Sequence, residues 1–211
     1  AKALTTASIN ALTSAQVTAI ETADLAAMST AQLSKLGTAQ VAQLTSVQVA
    51  ALTSGQVKSL NSDQVAALTS AQLNALTSSQ LPSLSTAQVR ALTTDQLSKL
   101  TTTQIVGLST AQVAALSTGQ VAALTSVQIN ALASDDLKAL TTTQVRALTS
   151  DQLSKLSSDQ IALMATDDIA ALGTGQISHL STSAIAALTT DQISALNTAT
   201  IDAMTSAQVQ A

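Results

Sequence analysis

Residues 45–52 read TSVQVAAL, and TSGQVKSL, NSDQVAAL and TSAQLNAL follow; the octapeptide continues through 211 residues without insertion or deletion. A fixed repeat constrains the fold more than any other feature, because each unit must bury its apolar side chains against copies of itself. Let the slots be numbered one to eight as T-S-A-Q-V-A-A-L. Slot eight, from Leu4 to Met204, holds only Leu, Ile or Met. Slot five, from Ile9 to Val209, holds only Val, Ile or Leu, and slot two, from Thr6 to Ser206, only Ser or Thr. The expected organisation is one continuous array, 1–211, of about 26 repeats. Neither end carries a distinct polar unit, which is the expectation for a piece of a longer array.

Slots five and eight are three residues apart, so they share a face of a helix and fall on opposite faces of a strand. One uninterrupted helix also fails. Eight residues overshoot two helical turns by about 80°, so the Leu stripe would wind around the axis. The helix must therefore break once per repeat. Slot one marks the break: it is Thr, Ser, Asn or Gly everywhere except Glu21, Ala133 and Ala165, and these are the favoured N-cap residues. Slot four is Gln in 20 of the 26 repeats, which completes a capping box with slot one. The three repeats without a good cap are the three with Asp in slot four, at Asp24, Asp136 and Asp168. A first-turn carboxylate is the expected compensation.

The charges sort the same way. Eleven of twelve acids lie in slots one, three and four, Asp202 being the exception. All eight basic residues (Lys2, Lys35, Lys58, Arg90, Lys99, Lys138, Arg146 and Lys155) lie in slots six and seven. That is the pattern of one helix dipole per repeat. Glycine is rare at the turn, so each helix must end without a left-handed glycine cap, with the Thr itself extended.

Helices this short are unstable alone and must stack. The predicted fold class is all-α: an α-solenoid with one very short helix per 8-residue repeat, slots five and eight forming a thin core. Mostly-Ala slot seven lets backbones approach. Two antiparallel helices per coil is the expected geometry, with three or more also open. Pro82, in slot six, falls inside a helix and predicts a local soft spot.

Composition narrows the function classes. Aromatic residues are absent and 9% of residues are charged, too little for a charge-driven disordered chain. Without cysteine there are no disulfides or thiolate metal sites. A net charge of −4 argues against nucleic acid and anionic membrane surfaces, and no apolar run is long enough to cross a membrane. The single His179, in slot seven, reads as a last-turn polar residue without partner ligands. Asp135–Asp136 and Asp167–Asp168 suggest Ca²⁺, but they sit in helical first turns without a Gly-rich calcium loop. No metal or cofactor site is expected, and no nucleophile–base pair, so the chain does not read as an enzyme.

In tandem, segments such as ALTTDQLSKL and ALTSAQLNAL resemble the ALTTAQ-type octapeptide arrays of very large bacterial surface and secreted proteins, often labelled as haem-utilisation or adhesion proteins. The resemblance covers the whole chain. It implies an extracellular or cell-surface setting and a structural role, as a stalk or scaffold in adhesion or biofilm; haem does not carry over, because the three Met residues occupy core slots. The rival expectation is a binding module whose regular Ser/Thr surface holds a glycan, a peptide or ice, although free exchange of Ser and Thr in slot two argues against ice. The expected partners are flanking domains of a parent protein and, through uncapped ends, other copies of the array stacked end to end.

Overall fold

A computed structural model describes residues 5–211. Among them are twenty-five α-helices of four to six residues and one 3-10 turn, with no strand. Almost every helix begins at slot two and takes its N-cap from slot one: Ser46–Ala50 is capped by Thr45, and Ser150–Lys155 by Thr149. Each Thr or Ser hydroxyl accepts the slot-four N–H, as Thr45 does from Gln48 at 3.1 Å. All twenty slot-four glutamines return the bond, their Oε1 accepting the N–H of slot one. At Gly37 and Gly173 only this half of the box exists, because glycine has no hydroxyl.

The corner between helices uses two consecutive extended residues. Leu60 at φ −61°, ψ 139° closes one helix, and Asn61 at φ −79°, ψ 170° opens the next. No described residue has positive φ. The slot-eight N–H bonds the slot-five carbonyl, as in Leu60 to Val57 at 3.2 Å, so the last turn tightens before the bend. The expected glycine-free corner is present, with the slot-eight residue sharing the turn with slot one. At Pro82 the repeat forms only the 3-10 turn Leu81–Ser83.

The chain falls into two compact units, Ala1–Leu108 and Ser109–Ala211. Within the first, each helix packs on the helix three repeats further on, as Thr38–Gln43 does on Ser62–Ala67. Within the second the spacing is the same, as between Ser126–Ala131 and Ser150–Lys155. Each unit is therefore a helical solenoid with three helices per coil, three repeats of eight residues making 24. The expected pair of antiparallel helices per coil is incorrect. An antiparallel pair requires full reversal at each corner, whereas two extended residues bend the chain by about a third of a turn.

Slot five fills the core: Val49, Val121 and Ile161 are fully buried, and slot eight is nearly so. The coils are also stitched together by the other end of the glutamine. In at least fifteen of the described repeats slot-four Nε2 donates to the slot-eight carbonyl four repeats earlier. In most it also reaches the slot-five or slot-six carbonyl; Gln152 donates to Val121 O at 2.8 Å and Leu124 O at 2.6 Å. The four-repeat step follows from the three-helix coil, since the corner that opens one helix stacks on the corner where the helix four repeats earlier ends.

Gln152→Glu replaces a buried donor by a carboxylate facing two carbonyl oxygens. It should destabilise the Ser109–Ala211 unit by about 3 kcal/mol at neutral pH, the cost of unsatisfied buried groups made worse by charge. The loss should shrink in acid, where protonation restores a donor. Chemical denaturation at both pH values measures this; an unchanged midpoint at neutral pH counts against the bond.

Candidate functional surface

Since slots five, eight and four are consumed by packing, chemistry is left to slots one to three, six and seven. The slot-two hydroxyls, candidates for a ligand-binding ladder, are partly engaged in the solenoid itself. Ser46, Ser54 and Ser158 donate to slot-three carbonyls of the following coil, at Ala71, Ser79 and Ser183. Slot one caps and slot two bridges, so the two hydroxyl rows have different work.

The Asp repeats use slot two differently. Their N-caps, Glu21, Ala133 and Ala165, make no side-chain cap bond. Asp136 accepts the hydroxyl of Thr110 at 2.9 Å, and Asp168 that of Thr142 at 3.2 Å, each from the preceding coil. Where glutamine would reach down with a donor, a threonine reaches up to a carboxylate. The first-turn carboxylate suits the helix dipole, and in addition it replaces the inter-coil bond. This second role has no signature in the sequence, because slot two is Ser or Thr in every repeat.

The paired aspartates point apart. Asp135 is exposed and lies 3.8 Å from Lys138 Nζ, whereas Asp136 is buried. Asp167 is exposed and Asp168 buried. Neither pair converges on a shared point as calcium ligands must. His179 is exposed at its helix end, and among the described residues no three His, Cys, Asp or Glu side chains group to hold a metal. Burial raises the Asp168 carboxyl above its ordinary value; the Thr142 hydrogen bond opposes the shift and Asp167 adds to it.

Two further features interrupt the regular surface. A hollow of about 100 Å³ opens beside Pro82, between its 3-10 turn and Thr101, Thr103, Gln104 and Gly107. Val47, Val106, Val127 and Leu163 are exposed, but as isolated residues in separate repeats, which is normal for a protein surface. Slot five is buried from Ile9 to Ile185 and exposed at Ile193, Ile201 and Val209, the three repeats with no described coil beyond them. No helix is long and apolar enough to cross a membrane.

The family model of the ALTTAQ repeat matches the chain seven times, at residues 17–54, 50–78, 70–102, 77–110, 94–126, 129–166 and 161–198. The chain belongs to the ALTTAQ repeat family. No curated protein matches it. In these ALTTAQ repeats the name-giving Gln is the residue that joins coil to coil, and the preceding Thr residues are its cap and the inter-coil hydroxyl.

A carboxyl whose folded pKa is raised contributes stability below its ordinary value and loses it as pH rises through the folded value. Asp168 is therefore a cost at neutral pH. Asp168→Gln should raise stability at pH 7 by about 1–2 kcal/mol, through one or two regained hydrogen bonds, with a smaller gain near pH 3. Thermal melts at the two values decide it; a loss at pH 7 contradicts the assignment.

Proposed function

We propose that the array is a structural spacer: a stalk or scaffold segment of a large bacterial cell-surface or secreted adhesion protein. The setting rests on the resemblance of the octapeptide to arrays in such proteins. The mechanical role is supported by one observation above all. The near-constant slots are spent on helix caps, core packing and coil-to-coil bonds, while outward-facing slot three varies among Ala, Val, Gly, Asp, Ser and Thr. A side chain free to vary sets no ligand specificity, whereas an identical coil repeated many times sets a distance. The direct test is to remove one coil. Deleting residues 141–164, three whole repeats, should leave mean helicity unchanged. It should shorten the separation of dyes at Ala111 and Ala207 by about 8–10 Å, one helix-packing distance, read by energy transfer. Collapse of helicity, or a saturable glycan ligand lost with the deletion, would favour the binding-module reading instead.

A further inference from the structure

Thr200 occupies slot four, where twenty other repeats place glutamine. Its normal counterpart is illustrated by Gln192, whose carboxamide nitrogen donates to Ile161 O at 3.0 Å, Ala162 O at 3.4 Å and Met164 O at 2.8 Å. The equivalent acceptors for Thr200 are the carbonyls of Ile169, Ala170 and Leu172. Threonine is too short to supply the carboxamide. Its hydroxyl lies 3.5 Å from Leu172 O, at the limit of a hydrogen bond, and 3.2 Å from Asn197 Oδ1. Thr200 borders an open hollow of about 340 Å³, bounded also by Ala170, Leu172, Gln176, Asn197 and Arg146. Arg146 is anchored there through Nε, which donates to Ala171 O at 3.2 Å. One level down, Gln176 shows what such a space holds: its Nε2 donates to the carbonyls of Val145, Arg146 and Leu148.

We infer that the hollow beside Thr200 is a vacant carboxamide slot that binds a small primary carboxamide. The ligand NH₂ donates to the Leu172 and Ala170 carbonyls, as glutamine does elsewhere, and its oxygen faces the N–H donors of Arg146. The polarity selects the class. A carboxylate would set its charge against carbonyl oxygens, and an ammonium ion would be repelled by the guanidinium. A neutral group with NH₂ on one side and C=O on the other meets both walls. The inference is independent of the spacer reading, since it concerns a single departure from the repeat.

Ligand-observed saturation-transfer NMR on the full chain tests it, with propionamide as probe and propionate as its isosteric control. Transfer to propionamide should exceed transfer to propionate by about tenfold, the size of one or two hydrogen bonds. Thr200→Gln fills the slot from within and should abolish the transfer while raising the melting temperature. Arg146→Ala should weaken it with helicity intact. No transfer to propionamide, equal transfer to propionate, or undiminished transfer in Thr200→Gln overturns the proposal.

Discussion

The structure depends on a carboxamide that bonds at both ends. The slot-four glutamine accepts a hydrogen bond from its own N-cap N–H and donates one to carbonyls of the corner four repeats earlier. Each helix start is thereby tied to an earlier helix end. A helix of about five residues has more unsatisfied end groups than internal bonds, so stability is decided at the ends. Burial makes the arrangement exacting: Gln64 and Gln152 are each 1% exposed, and a buried amide left half-bonded would cost more than it contributes.

The same constraint sets the coil. With slot eight and slot one both extended, the chain bends without glycine and without reversing, and three such bends close a coil. Slot five then points to the following coil and is covered by it. The last coil, with Ile193, Ile201 and Val209 exposed, shows what covering achieves elsewhere. Residues that break the rule mark local variation: Asp136 and Asp168 trade the donor for a threonine partner, Thr200 borders a hollow, and Pro82 reduces its helix to a 3-10 turn.

Much of this was legible in the sequence. The three-residue spacing of Val and Leu, the T-x-x-Q boxes and the segregation of Asp from Lys and Arg all specify one short capped helix per octapeptide. Local interactions set these features, and a single repeat contains all the information. The number of helices per coil was not legible, because it depends on the backbone angles of Leu and Thr at the corner, which no side-chain pattern records. The second bond of glutamine left one trace. A capping box accepts Glu as readily as Gln, yet no slot-four position carries Glu. Twenty glutamines against no glutamate in this slot point to a need for a donor. The candidate sites at His179 and the Asp pairs were weighed from composition, and the structure separates the paired carboxylates rather than converging them.

The central claim is that coils of three helices are joined by slot-four glutamines, and cysteine crosslinking tests it most directly. The chain has no native cysteine, and Asp135, Asp151 and Asp159 are exposed slot-three positions. Cysteines at 135 and 159 lie one full coil apart, and cysteines at 135 and 151 two repeats apart. With a bifunctional reagent of about 10 Å span, close to the spacing of packed helices, the account predicts efficient crosslinking of the 135–159 pair and little of 135–151. The reverse preference would mean two helices per coil and would contradict it.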